Sequence, residues 1–174
     1  MSPSPGAGRV YPPPVPPPAA RRTSLVARAR EAPATLALVA AYLVVFAILS
    51  AEGLLLDEHG LVRAGALERG RLWAGEWWRL AAATFLHVNA AHLLVNVAVA
   101  LMAGRLVERA AGTARFLAVY AASGLAGSAL SALGQDAVSA GASGALNGLV
   151  GAVLVLHALA LGGARALLRS PGAR

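Results

Sequence analysis

Polar side chains that are able to do chemistry stand inside two apolar stretches of this sequence. His92 and Asn96 are four residues apart in one stretch, and Ser143 stands in the run Gly141-Ala142-Ser143-Gly144-Ala145 of another. On a helix, a spacing of four residues places two side chains about 40° apart around the axis and roughly 6 Å apart along it. His92 and Asn96 therefore share one face. An imidazole, an amide and a hydroxyl together offer a nucleophile and hydrogen-bond donors for acyl transfer.

Ser143 is predicted to open a helix, where free backbone N–H groups and the positive end of the helix dipole could hold an oxyanion. Two structural interpretations stand beside this one. Ser143 could simply pack among small residues, because Gly141, Gly144, Gly148 and Gly151 fall within an arc of about 80° suited to close helix crossing. The His-Asn pair could be a mutual hydrogen bond without chemistry. The His92–Asn96 pair and Ser143 are predicted to lie at a similar depth in the membrane. Their occurrence together favours a catalytic site over either structural interpretation.

The elements that must position these residues are apolar helices. We predict four of them, and about twenty apolar residues match a hydrocarbon layer of roughly 30 Å. The predicted spans run from Leu36 to Ala51 with an extension to Leu56, from Ala90 to Val107, from Thr113 to Leu133, and from Ala142 to Leu161. The fold class expected is an all-α membrane protein, a polytopic helical bundle with four transmembrane helices.

Composition supports a membrane protein. The 174 residues are 57% hydrophobic and 13% charged, against roughly 25% charged in an ordinary soluble domain. The net charge of +7 is spread between the apolar runs, whereas nucleic-acid binding needs a clustered basic patch. The absence of Cys removes thiolate metal sites and cysteine nucleophiles. His87 and His92 are about 140° apart on a helix, and no acidic residue lies nearby in the membrane, so we expect no metal site.

Arginine placement predicts the topology. Arginines lie before the first span, in the loop around Arg105 and Arg109, and after the last span. The loop over residues 134–141 has one charged residue, which is acidic. The positive-inside bias then puts both termini in the cytoplasm. Residues 1–33 hold nine of the ten prolines, so we predict a disordered tail there, a transmembrane domain over 34–165 and a basic cytoplasmic tail over 166–174. A cleaved signal peptide is the less favoured interpretation, because the leader is long and further spans follow.

Several separate motifs, in order, resemble the rhomboid intramembrane serine proteases over about residues 36 to 165. The motifs are Gly75-Glu76-Trp77-Trp78-Arg79-Leu80, Thr84-Phe85-Leu86-His87, His92-Leu93-Leu94-Val95-Asn96, Gly104-Arg105-Leu106-Val107-Glu108 and Gly141-Ala142-Ser143-Gly144-Ala145. The resemblance implies a rhomboid-like fold of which this chain holds four of six core helices.

The resemblance also implies roles for individual residues. Ser143 would be the nucleophile, and His92 and Asn96 would join the Ser143 backbone N–H in an oxyanion hole. The remaining roles that it implies are structural: His87 near the site, Trp78 and Arg79 in the membrane-embedded first loop, Glu108 bracing the cytoplasmic turn, and Gly141 in the serine motif.

The general-base histidine of the family has no counterpart in these residues. His157 follows Ser143 by fourteen residues on the same predicted helix, about 21 Å away at 1.5 Å per residue, and a base must approach within about 3 Å. His92 is a substitute base only in principle. We therefore expect this chain to be inactive alone, as a fragment or truncated product of a protease. Asn147, where the family often has an aromatic residue that packs on that histidine, would be less constrained.

The function implied is that of an endopeptidase that cleaves transmembrane substrates near the outer membrane face without metal or cofactor. The alternative is a non-catalytic rhomboid-like protein that binds client transmembrane helices. A channel or transporter has only the His92–Asn96 face in its favour. The partners expected are the lipid bilayer and transmembrane proteins, not nucleic acid. The use of Arg without Lys suggests a GC-rich bacterial genome. With the predicted spans, we therefore expect a multi-pass protein of the bacterial inner (plasma) membrane.

Overall fold

The computed structural model describes residues 32–134 and 137–160. Its elements, in chain order, are α1 (Pro33–Ala51), α2 (Glu58–Ala64), α3 (Arg69–Trp73), α4 (Arg79–Ala82), a 3₁₀ turn (Ala83–Phe85), α5 (Ala90–Ala111), α6 (Thr113–Gly134) and α7 (Ser143–Ala160). The described residues contain helices and one isolated β-bridge but no β-strand. The predicted all-α membrane fold is confirmed.

Three of these helices are long and apolar enough to cross a membrane, namely α1, α5 and α6. The shorter apolar helix α7 reaches the end of the described residues, so its spanning of the bilayer stays a prediction. The predicted terminal tails lie outside the described residues, except for Ala32, which is buried just before α1, and Pro33, which is the first residue of α1.

The bounds of α1 differ from the prediction at both ends. The helix begins at Pro33 rather than Leu36, because proline fits the first helical turn, where no backbone N–H is needed. It ends at Ala51 rather than Leu56, since Gly53 adopts a left-handed φ of 69° and the chain turns there. The sequence remains apolar beyond Ala51, so hydropathy alone does not indicate the turn at Gly53.

Glu108 ties the start of α1 to the far end of α5. Its buried carboxylate accepts hydrogen bonds from the backbone N–H groups of Ala34 and Thr35 at 3.0 and 2.8 Å. The hydroxyls of Thr35 and Thr113 donate to it at 2.7 and 2.8 Å. One carboxylate thus caps the first turn of α1, whose N–H groups have no partner inside the helix, and also binds the first residue of α6.

The connection between α1 and α5 holds short helices that its polar composition did not predict. Arg79 organises this connection from a buried position, 3% exposed. Its guanidinium donates to the carbonyls of Val62 and Ala66 at 2.7 and 2.8 Å and pairs with Glu76 at 2.6 Å. A planar fork with several donors can hold all three acceptors at once.

Helices α6 and α7 cross closely through small residues. A Cβ built on Gly127 would lie 3.0 Å from the Cα of Gly144, and a Cβ on Gly148 would overlap the side chain of Ser123. Ser123 donates to the carbonyl oxygen of Ala145 at 3.2 Å across the same crossing. Of the four glycines that were predicted to share one arc of this helix, Gly144 and Gly148 lie at the crossing. A Cβ built on Gly151 would meet nothing within 4 Å.

The core lies where α1, α5 and α6 surround the first half of α7. Its fully buried side chains include Tyr42, Phe116, Val107, Leu146 and Leu149. Helix α7 therefore enters the bundle with one face against the core, and the other face, which carries Ser143, Asn147 and Leu154, is exposed among the described residues.

Candidate functional site

The loop before Ser143 is held in place by backbone hydrogen bonds to the α1–α5 connection. Leu67 and Ser139 exchange two such bonds, each 2.9 Å long. The Gly141 N–H donates to the carbonyl of Ala83 at 2.8 Å. Because three bonds fix a loop of few residues, the position of Ser143 at the start of α7 is set by the connection as much as by its own helix.

Gly141 has two separate reasons to be glycine. Its φ of 136° lies in a region that side-chain-bearing residues rarely adopt. A Cβ on it would also lie 2.5 Å from Cε1 and 2.9 Å from Nε2 of His92. The His92 imidazole therefore rests directly on the backbone of Gly141, two residues before Ser143.

His92 and Asn96 lie on one face of α5 as their spacing predicts. Asn89 caps the helix, and its side chain accepts a hydrogen bond from the His92 backbone N–H at 2.9 Å. His92 is half-buried and Asn96 is buried at 4% exposure. The amide nitrogen of Asn96 has no hydrogen-bond partner among the described residues, although a buried donor normally has one.

Ser143 opens on a polar cavity of about 270 Å³ between α6 and α7. The polar residues lining this cavity are Thr84, Ser128, Ser131, Ser139, Ser143 and Asn147. His92 and Asn96 do not line it, although Gly141 lines the cavity and also contacts His92. Gly141 thus lies between a hydroxyl-lined space on the Ser143 side and the imidazole of His92.

His87 is fully buried beside this arrangement. Its ring meets the rings of Tyr42 and His92 edge-on, with centroids 5.1 and 5.4 Å away. Burial, with His92 as a smaller cause, lowers the pKa of His87 to about 4. The imidazole is therefore neutral at neutral pH.

The other residues singled out from the sequence do not line the cavity at Ser143. Trp78 is largely exposed, with the Arg79 guanidinium 4.6 Å above its ring, while Arg79 and Glu108 make the loop and helix-cap contacts described above. His157 is exposed on α7. In the part of the chain that the structure describes, no cluster of three His, Cys, Asp or Glu residues is suited to a metal ion.

Sequence reasoning missed Tyr42 and the hydroxyls of the cavity. Ser128 and Ser131 are three residues apart near the end of α6, a spacing that places two side chains on one helix face, so this signal was available. Tyr42 and Ser139 reach the site only through tertiary packing, and nothing in their local sequence marks them.

These features define an all-α membrane protein in which Ser143 is the first residue of an apolar helix. The Rhomboid domain family model matches residues 74–170. The chain is 38% identical over 134 residues to rhomboid protease GluP of Bacillus subtilis, which covers 77% of this chain and 26% of GluP. It is 43% identical over 97 residues to RHOMBOID-like protein 5 of Arabidopsis thaliana, which covers 54% of this chain and 31% of that protein. No solved structure gave a significant match.

The family model covers more than half of the chain, and the chain therefore belongs to the rhomboid family. It is a multi-pass membrane protein. The chain spans about a quarter to a third of the length of the two relatives named above.

Proposed function

We propose that this chain carries the nucleophile and the oxyanion donors of an intramembrane serine endopeptidase. The Ser143 hydroxyl gives its proton to a base and attacks the scissile carbonyl carbon of a transmembrane substrate, and the resulting oxyanion receives hydrogen bonds from Asn96, His92 and the Ser143 backbone N–H. The peptide C–N bond then breaks, the amine leaves with the proton, and an ester on Ser143 remains. The observation that carries the proposal is the contact of His92 with Gly141 beside a buried Asn96 amide that lacks an acceptor. A fixed donor without a ground-state partner is what stabilises charge that develops only during reaction.

The polar cavity supports hydrolysis rather than simple acyl transfer. Hydrolysis of an acyl-enzyme needs water, which the hydrocarbon layer does not supply. A hydroxyl-lined space of about 270 Å³ at Ser143 has room and hydrogen-bond partners for several water molecules. We infer that this cavity delivers the hydrolytic water to the Ser143 ester.

Charge placement supports a cut near the outer face of a bacterial plasma membrane. With both termini in the cytoplasm, the joint that precedes Ser143 lies outside, and the start of α7 lies close to that surface. A substrate helix must unwind there before its carbonyl can reach Ser143, since a helical peptide bond is engaged in internal hydrogen bonds.

The reaction needs a general base, and the position of the histidines bears on a second candidate function. Among the described residues, His157 is fourteen positions along α7 from Ser143, about 21 Å away, and no other histidine follows Ser143 there. Removing the base from a serine protease costs about 10⁶ in turnover. The alternative function is that of a non-catalytic rhomboid-like protein that binds client transmembrane helices, and the exposed face of α7 that carries Ser143, Asn147 and Leu154 favours it.

One experiment separates the two functions. The chain is expressed in membranes with a reporter that carries a single transmembrane helix and a photo-crosslinker near its outer end. An endopeptidase gives a shortened reporter that disappears in Ser143→Ala. A client-binding protein gives a crosslinked adduct of equal yield in the wild type and Ser143→Ala, without a shortened product. An experiment that yields no shortened reporter and no crosslinked adduct would contradict both functions.

A further inference from the structure

Three aromatic side chains from separate segments form a row that ends on Gly141. Tyr42 of α1 is fully buried and meets His87 edge-on, with interplanar angle 62°. His87 meets His92 in the same way at 67°. His92 in turn rests on Gly141. Edge-to-face rings at these separations attract one another by about 0.5–1.5 kcal/mol per pair, so the row has a preferred arrangement.

The far end of the row is anchored. The hydroxyls of Tyr42 and Tyr120 form a hydrogen bond 2.7 Å long between α1 and α6. Tyr42 also meets Phe85 edge-on, with centroids 6.0 Å apart. A ring held by a hydrogen bond at its tip and by packing on its faces has little freedom to move. His87 is thus packed between a fixed ring on one side and His92 on the other.

The polar surroundings of the His87 imidazole are local, since the group it meets is the backbone of Phe85, two residues before it. Both ring nitrogens are buried and lack a hydrogen-bond partner among the described residues. A buried polar atom without a partner costs about 1–3 kcal/mol. The ring also makes an edge-on contact with His92, whose imidazole lies against Gly141.

We propose that His87 is a positioning residue, whose ring is the wall that holds the His92 imidazole against Gly141 and thereby beside the start of α7. This role rests on the proposed function of His92 as an oxyanion donor. His87 is not among the residues that line the cavity at Ser143. The position of the His92 ring is a property of the folded chain, and it can be measured without any reaction.

The first test is a proton–proton contact in the full chain, reconstituted in lipid nanodiscs with labelled His and Gly. The Gly141 Hα that occupies the Cβ direction points at Cε1 of His92, so a strong nuclear Overhauser effect joins it to the His92 Hε1 proton. We expect this signal to persist in His87→Phe, which keeps an aromatic wall, and to vanish in His87→Ala. His157→Ala, at an exposed histidine, is the matched control and retains the signal.

A signal that is unchanged in folded His87→Ala overturns the proposal, and so does its loss in His87→Phe. If His87→Ala does not fold, His87→Leu replaces it, because leucine fills the space without a flat face. Loss of the signal in His87→Leu then supports the proposal, and its persistence overturns it.

The second test measures reactivity of Ser143 with a fluorophosphonate. A displacement of about 1 Å at a catalytic group costs roughly 100-fold in rate, so labelling in His87→Ala should fall by about 10- to 100-fold and recover in His87→Phe. Equal labelling rates in the wild type and in His87→Ala overturn the proposal. A wild-type Ser143 that is never labelled contradicts the proposed function instead, and the Gly141–His92 signal still decides whether His87 positions the ring.

Discussion

At the scale of single residues, the amide of Asn96 is the group whose surroundings are best explained by chemistry. It is buried in an apolar helix, and its nitrogen has no acceptor among the described residues. In the proposed reaction the acceptor forms only when Ser143 attacks. The unpaired amide nitrogen therefore destabilises the resting protein, and its hydrogen bond to the oxyanion stabilises the transition state.

Substitution of Asn96 tests this account. We expect Asn96→Ala to lower the rate of fluorophosphonate labelling of Ser143 by about 100- to 1,000-fold, the usual effect of losing one oxyanion donor. Leu94→Ala, at an exposed position of the same helix, is the control and keeps the wild-type rate. A labelling rate that Asn96→Ala leaves unchanged would remove Asn96 from the oxyanion hole.

At the scale of elements, small residues allow α6 and α7 to cross closely. Gly148→Ala places a methyl group on Ser123, and such overpacking costs about 1–3 kcal/mol. Gly151→Ala meets nothing within 4 Å and should stabilise α7 slightly, since alanine favours helix by about 1 kcal/mol over glycine. Thermal unfolding in detergent measures both.

A second substitution checks that the Gly148 effect comes from this contact. In the Gly148→Ala background, Ser123→Gly removes the side chain that the new methyl group meets. The two changes together should cost less than the sum of the two separate costs. Strict additivity, or equal effects of Gly148→Ala and Gly151→Ala, would contradict the packing described here.

The connection between α1 and α5 responds to pH through Glu76. The hydrogen bond from Arg79 holds the pKa of Glu76 below its ordinary value of 4.5. A carboxylate with a lowered folded pKa adds stability that is fully present above the ordinary value and is lost as pH falls through the folded pKa. We expect the melting temperature to fall in acid and Glu76→Gln to flatten that fall. Glu52→Gln, at an exposed carboxyl ending α1, is the control, and an unchanged acid slope in Glu76→Gln would contradict this role.

Hydropathy predicted the elements of this fold better than it predicted their ends. The third span was expected over Thr113 to Leu133, and α6 runs from Thr113 to Gly134, because a long apolar stretch that follows the left-handed Gly112 has few alternatives. The short helix α3 was not predicted, since five residues carry too little periodicity.

The candidate site was predictable only in part. The four-residue spacing was enough to place His92 and Asn96 on one face, and matched depth was enough to associate them with Ser143. The contact of His92 with Gly141 and the capping of α1 by Glu108 join residues some fifty to seventy-four positions apart. Contacts of that range depend on how the helices pack, which local sequence does not encode.

At the scale of the whole molecule, the orientation in the membrane determines which side the serine faces. The chain has no cysteine, so single cysteines can be added freely. We expect a membrane-impermeant maleimide to label Glu58→Cys and Ala137→Cys in intact cells, and to label Ala110→Cys only after permeabilisation. All three sites are exposed in the structure. The reverse pattern would put Ser143 near the cytoplasmic face.

The central claim is that the Ser143 hydroxyl is a nucleophile. The most direct measurement is mass spectrometry of the chain in native membranes after treatment with a fluorophosphonate. We predict a covalent adduct on the peptide that contains Ser143, formed slowly because no base lies after Ser143 within reach among the described residues, absent in Ser143→Ala and retained in Ser50→Ala. An unmodified Ser143 peptide in the wild type, under conditions that label a known serine hydrolase in the same membranes, would contradict the claim.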